Sequence, residues 1–320
     1  MRVNHFSFLS KLVSELKTFL RHFRPVNLLF IVGIQWLVQR ALLIHHNTIE
    51  SIDFPSDNQL PYPLVILMYS SVLLAGSGYL INDYLNQRSD RINRPNQPIS
   101  ALFKRPLLFW SIYALMNASA LFFGHQLDLI TQTPKYIWIF FVIITFLGAY
   151  SGFKWMKFII GPLIISSLVA LVPLLVLELV SDIQSDFIDQ YKFRSVQPWI
   201  WRIRFLAFWV NALREIVKDI QDINGDKNDR RLTIPIVLGL RRTTKLLVVM
   251  GLILIVILGV MVALAKSFNL MLSLNLLACL LLALGLTNQF SKIERPEQAK
   301  SVSLRLKLLL ALGAFCLWWL

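Results

Sequence analysis

Hydrophobic residues fall into long blocks separated by short polar segments, and nine blocks approach the ~20 apolar residues that a helix needs to cross a bilayer. They run over 27–44, 62–81, 106–124, 136–152, 158–180, 199–217, 246–265, 268–288 and 305–320. The pattern predicts an all-α, multi-pass membrane protein of nine transmembrane helices. The start of the chain follows a different pattern. Cations there alternate with a helical stripe of Leu9, Leu12, Leu16, Phe19 and Phe23, without the apolar core of a signal peptide. Residues 1–26 therefore read as an amphipathic helix lying in the interface, ahead of one transmembrane domain over 27–320.

Composition agrees: 56% of the 320 residues are hydrophobic and 16% charged, far from soluble usage. The net charge of +14 could mean nucleic acid, but the placement of the cations argues against it. With the N-terminus in the cytoplasm, the inner segments hold groups such as Arg88, Arg91 and Arg94, Lys154 and Lys157, and Lys227, Arg230, Arg231, Arg241 and Arg242. The outer ones hold only Lys135, Lys192, Arg194, Arg202, Arg204 and Lys266. Such an asymmetry sets a multi-pass protein of the cell membrane with its N-terminus cytoplasmic and its C-terminus outside. Cys279 and Cys316 both fall in apolar blocks, which gives no support to a disulfide framework or a thiolate metal site.

Two polar clusters stand at inner ends of these blocks. Asn82, Asn86 and Asp90 are spaced four apart in "INDYLNQRSD", with Asp83 between them, so a helix continuing past the membrane surface stacks them on one face. In "REIVKDIQDINGD", Glu215, Asp219, Asp222 and Asp226 form a second stripe. Acids this close raise one another's pKa unless a cation lies among them. Oxygen donors without His or Cys point to Mg²⁺. The neighbouring bases Arg94 and Lys218 make each cluster a receptacle for a polyphosphate, with Tyr150 and Lys154 of "YSGFKW" as a third piece. A soluble anion has no need of nine spans, whereas a diphosphate on a long hydrocarbon does. The expected partners are thus a polyprenyl diphosphate, a lipid-like acceptor and the bilayer, and the expected chemistry is ionisation of an allylic C–O bond in a water-poor site.

On these residues the chain resembles the UbiA superfamily of intramembrane prenyltransferases, over essentially its whole length. The superfamily's first motif, Asn-Asp-x-x-Asp-x-x-x-Asp, is matched by Asn82, Asp83, Asn86 and Asp90, its Asp-x-x-x-Asp by Asp222 and Asp226, and its Tyr-x-x-x-Lys by Tyr150 and Lys154. "RPVNLL" resembles the start of its first helix, with Asn27 at the polar position. The resemblance implies nine helices around a central cavity under a cytoplasmic polar cap. It assigns Asn82, Asn86 and Asp90 to one Mg²⁺ and Asp222 and Asp226 to another. Tyr150 and Lys154 contact the diphosphate, and Asn27, Asp83, Arg94, Lys218 and Asp219 complete the substrate-binding set. Position 86, Asp in most members, is Asn here, which removes one negative charge. "DRINRPNQPIS" is similar to the form found in the geranylgeranylglycerol-phosphate group, with Gln97 and Ser100 in place of Arg and Pro. The expected acceptor is therefore a glycerol-phosphate ether lipid such as geranylgeranylglycerol phosphate, with three alternatives. These are an aromatic acceptor, an isoprenoid-binding relative weakened by Asn86, and a transporter whose acids relay cations.

Overall fold

The computed structural model describes residues 15, 17–43, 62–95, 100–153, 158–183 and 190–320. Lys154, Lys157, Lys192's side chain, Gln97 and residues 1–14 of the expected amphipathic helix lie outside the described residues.

Every regular element among the described residues is helical. Long helices follow the apolar blocks: α1 (Pro25–Leu43), α2 (Tyr62–Leu85), α4 (Pro106–Thr131), α5 (Tyr136–Gly152), α6 (Ile160–Ile183), α7 (Gln190–Gln221), α10 (Leu240–Ala265), α11 (Leu270–Phe290) and α12 (Pro296–Phe315). Three short ones lie between them, α3 (Gln87–Asn93), α8 (Ile223–Asn228) and α9 (Ile234–Leu238). Seven are long and apolar enough to cross a membrane: α1, α2, α4, α6, α10, α11 and α12. Of the other two expected spans, α5 is apolar but only 17 residues long. The second lies inside α7, whose 32 residues carry arginines that break up its apolar run, although at ~1.5 Å per residue it is long enough to span.

The chain forms two compact units, one of Met1–Val32 with Val65–Phe153 and one of Gly33–Leu64 with Lys154–Leu320. In the first, the end of α2 is buried by aromatic packing. Tyr84 stacks on Phe109 at 3.8 Å between ring centroids, with Phe103 edge-on to both, and Leu80, Ile81 and Leu102 complete the cluster. Ser100 has a use its sequence context does not suggest: its Oγ accepts from the Leu102 N–H at 3.3 Å and caps the 3-10 turn Ala101–Lys104, which delivers Phe103 to the cluster. At the far end of this unit Asp128, on α4, accepts from the N–H groups of Lys135, Tyr136 and Ile137 at 3.0, 2.6 and 3.3 Å. It thereby satisfies the orphan donors that open α5. Asp128→Ala is expected to lower stability by about 1–2 kcal/mol, seen as a lower Tm in detergent with prenyl transfer unchanged at temperatures where the variant stays folded.

In the second unit α7 packs against α6, α10 and α12. Polar side chains pin it at intervals: Asn211 Nδ2 donates to Ser166 Oγ at 3.3 Å and Trp209 Nε1 to the Met250 carbonyl at 2.9 Å. Pro173 is buried within α6, which continues through it.

Candidate functional site

Each unit carries one of the acid stripes at a helix end, and the same backbone device forms both. The α2 and α3 helices are joined by a single residue, Asn86, at φ −98°, ψ 4°. The α7 and α8 helices are joined by Asp222 at φ −96°, ψ 9°. This is the sparsely allowed bridge region in which many site residues sit. The i→i−4 bonding runs on through both breaks: Asn86 N–H donates to Asn82 and Asp90 N–H to Asn86, while Asp222 N–H donates to Lys218 and Asp226 N–H to Asp222. The expected stacking at four-residue spacing therefore holds, with the helix bent at the middle position. Asn86 and Asp222 are structural counterparts, as are Asp90 and Asp226.

In the first unit two of the stripe's side chains meet. Asn86 Nδ2 donates to Asn82 Oδ1 at 2.6 Å, and Asn86 is buried. Asp83, one residue on and so about 100° around the helix, serves a different purpose. Its carboxylate accepts from His22 Nδ1 at 2.9 Å and from Arg24 Nη2 at 3.0 Å. The Arg24 guanidinium also lies over Tyr79, 4.7 Å from the ring centroid, and the His22 ring rests on Phe103. Arg24 has a left-handed backbone, φ +50°, which turns the chain between the short N-terminal helical run and α1. Asp83 thus ties the chain ahead of α1 to α2, a pairing between positions about sixty residues apart that spacing alone does not reveal. Asp83→Ala is expected to lower stability by about 2 kcal/mol, since a part-buried carboxylate accepting from two cationic partners is lost. Asp83→Asn, which keeps one acceptor, recovers part of the loss; thermal denaturation of the two variants checks the order.

Asn27 Nδ2 reaches the Tyr79 hydroxyl at 3.4 Å, which places it one turn from Asp83 along α2. Tyr150 is half-buried near the end of α5. A close approach sets its helix against α2, since a Cβ at Gly78 would stand 2.8 Å from a Leu147 methyl. One turn further along each helix are Asn82 and Tyr150. Arg94 ends α3 with its N–H bonded to the Asp90 carbonyl.

In the second unit Glu215 and Asp226 are buried and ion-paired. Glu215 accepts from Lys218 Nζ at 3.2 Å and Arg214 Nη1 at 3.3 Å. Asp226 accepts from Arg231 Nη1 at 3.1 Å, and the same buried guanidinium reaches Asp229 at 2.7 Å. The Asp226–Arg231–Asp229 bridge folds the chain after α8 back onto it. The turn is made at Arg230, in a left-handed conformation with φ +53°, of the kind that concentrates at functional segments. Lys218 consequently stands on Glu215, and Asp219 and Asp222 are half-buried on the same stripe.

The donors in both sets are amide and carboxylate oxygens. No group of three or more His, Cys, Asp or Glu side chains arranged to enclose a metal occurs among the described residues. Such sets fit a hard divalent cation that takes the rest of its shell from water and from a phosphorylated ligand.

A model of the UbiA prenyltransferase family matches residues 55–316. A digeranylgeranylglyceryl phosphate synthase of Thermococcus sibiricus is 30% identical over 240 residues, 72% of each chain. That of Thermococcus gammatolerans is 28% identical over 258 residues, 79% of this chain and 84% of its own. Among solved structures, one from a study of digeranylgeranylglyceryl phosphate synthase in membranes superposes with a TM-score of 0.65 at 19% identity, covering 95% of this chain and 97% of that one. A homologue from Archaeoglobus fulgidus bound to GPP and Mg²⁺ gives 0.56 at 15% identity over 94% and 99%.

Proposed function

Because the chain belongs to the UbiA prenyltransferase family, we propose that it is the enzyme that moves a prenyl group from a polyprenyl diphosphate to a glycerol-phosphate ether lipid such as geranylgeranylglycerol phosphate. The observation that carries the reading is the pair of matched helix breaks, each presenting oxygen donors on one stripe beside cations. Two supports favour this acceptor over an aromatic one, the "DRINRPNQPIS" segment and the names of the relatives.

The divalent ion, taken to be Mg²⁺, supplies positive charge to the leaving diphosphate. Asn82, Asn86 and Asp90 would hold one such ion and Asp222 and Asp226 the other, with Asp219 beside them. Tyr150 and Lys154 orient the diphosphate, and Arg94 and Lys218 add charge near it. Lys218 and Arg231 also neutralise Glu215 and Asp226 before ligand arrives, which limits like-charge repulsion along the stripe. The helices hold the prenyl chain and exclude water from the carbocation-like carbon; the allylic C–O bond breaks with its electron pair leaving on diphosphate, the acceptor hydroxyl oxygen bonds to that carbon, and the hydroxyl proton passes to the released diphosphate. The N-terminus lies in the cytoplasm, nine helices span the membrane, residues 1–26 lie in the interface, and the polar helix ends form a cytoplasmic cap.

The experiment is product analysis. Purified protein, Mg²⁺ and geranylgeranyl diphosphate are offered equimolar geranylgeranylglycerol phosphate and 4-hydroxybenzoate. An ether lipid formed with stoichiometric pyrophosphate is the expected result; prenylated benzoate in its place overturns the acceptor, and neither product overturns the activity.

A further inference from the structure

On α7 the cations Arg214 and Lys218 converge on one atom. Arg214 Nη1 and Lys218 Nζ both donate to Glu215 Oε1, at 3.3 and 3.2 Å, and Lys218 Nζ also reaches Oε2 at 3.2 Å. Lys218 alone therefore covers both oxygens of the carboxylate, and the guanidinium is a surplus cation. The trio carries a net +1 on a stretch of helix where Leu213, Ile216 and Val217 are buried, and an unbalanced charge in such a place is costly. The guanidinium spends one of its five donors on Glu215, and its Nε is enclosed without a partner among the described residues. What the trio leaves accessible is cationic: the side chains of Arg214 and Lys218 are 20% and 26% accessible, that of Glu215 7%. Arg214, Lys218 and Asp222 are four positions apart in turn, on one face of α7 that winds about 40° per step. Along the axis Lys218 stands ~6 Å and Arg214 ~12 Å from Asp222, further into the helix.

We infer that Arg214 binds the phosphate monoester of the acceptor, with Lys218 between the two phosphate levels; this rests on the reading of Asp222 and Asp226 as the seat of the diphosphate's ion. The span fits. The acceptor's hydroxyl and phosphate are on adjacent carbons, four bonds of ~1.5 Å from hydroxyl oxygen to phosphorus. With reacting atoms roughly 3 Å apart on either side of the allylic carbon, the acceptor phosphate stands on the order of 10 Å from the leaving diphosphate. A guanidinium is also the side chain whose planar fork of donors matches phosphate oxygens, and Glu215 steadies that fork through Nη1. The phosphate balances the surplus cation, so the phosphorylated acceptor is held with its hydroxyl toward the reacting carbon, and an alcohol without phosphate is not.

The test is a tryptophan-fluorescence titration of the full chain in detergent, without divalent ion, using geranylgeranylglycerol phosphate and geranylgeranylglycerol, which lacks the phosphate. The native protein is expected to bind the phosphorylated form about thirtyfold more tightly, the range for a charge-assisted contact. Arg214→Gln is expected to bring the ratio to about threefold, while its affinity for geranylgeranyl diphosphate with Mg²⁺ stays within about twofold of native. Equal binding of the two acceptors by the native chain, or a ratio that survives in Arg214→Gln, overturns the seat. A loss of geranylgeranyl diphosphate binding as large as the loss for the acceptor overturns the acceptor as its occupant. The titration needs no turnover. A silent enzyme with the expected ratios therefore overturns the activity and leaves the seat, whereas an active enzyme with equal binding overturns the seat alone. If Arg214→Gln does not fold, Arg214→Lys takes its place, with the ratio expected to fall about threefold as an ammonium replaces the fork; an unchanged ratio overturns the proposal.

Discussion

Asp222→Ala is expected to reduce prenyl transfer about 10³-fold while leaving the fold intact. Asp222 sits half-buried at the bend between α7 and α8, and its side chain makes no capping hydrogen bond. Its main-chain bonds to Lys218 and Asp226 survive truncation, and the loss of stability is expected to be about 1 kcal/mol, well below that of a core substitution. The loss falls on charge stabilisation of the departing diphosphate, where removing one preorganised group typically costs 10²–10³ in rate. Asp222→Asn gives an intermediate, because an amide oxygen still offers a donor but not a charge. It also makes the second break match the first, which already carries Asn86. Steady-state pyrophosphate release, with circular dichroism melts beside it, checks both parts. A melt shifted as far as a core substitution would reassign Asp222 to a structural role.

The second large effect is a gain. Asn86→Asp is expected to lower the Mg²⁺ concentration at half-maximal activity about tenfold, equivalent to about 1.4 kcal/mol. The added charge lies within a few ångströms of the same donors, where an attraction of this size survives partial screening. In the native chain Asn86 Nδ2 donates to Asn82 Oδ1; with Asp at 86, the Asn82 amide turns and donates to the new carboxylate, which keeps the contact. Without divalent ion the variant carries an additional buried carboxylate near Asp90 and is expected to melt below the native protein. With Mg²⁺ it recovers, so the stabilisation by Mg²⁺ is larger in the variant. A Mg²⁺ response identical in the two proteins would remove Asn86 from the ion's coordination.

What the sequence discloses here follows the range of the interactions. Helices α2, α4, α6, α10, α11 and α12 are legible because length and apolarity are local, and the four-residue spacing of Asn82, Asn86 and Asp90 and of Asp222 and Asp226 reveals the stripes on the same ground. The bends at Asn86 and Asp222 carry no Gly or Pro, so nothing local announces them. Long-range pairings are invisible. Asp83 reads as a motif acid, with no sign of its contacts to His22 and Arg24, and Lys218 reads as a base beside the stripe, with no sign of its pairing to Glu215. Arg231 is legible as a nearby base and not as the bridge between Asp226 and Asp229, which requires the left-handed turn at Arg230. Ser100, an apparent departure from the family pattern, proves to be a cap.

Catalyst and binder are separated most sharply by pyrophosphate release from geranylgeranyl diphosphate with geranylgeranylglycerol phosphate, followed across a Mg²⁺ titration for the native chain, Asn86→Asp and Asp222→Ala side by side. The native protein is expected to turn over in a Mg²⁺-dependent manner, Asn86→Asp to do so at lower Mg²⁺, and Asp222→Ala to be nearly silent. Turnover by Asn86→Asp alone, with none from the native chain at any Mg²⁺ concentration, would refute the activity and make the native protein an isoprenoid binder.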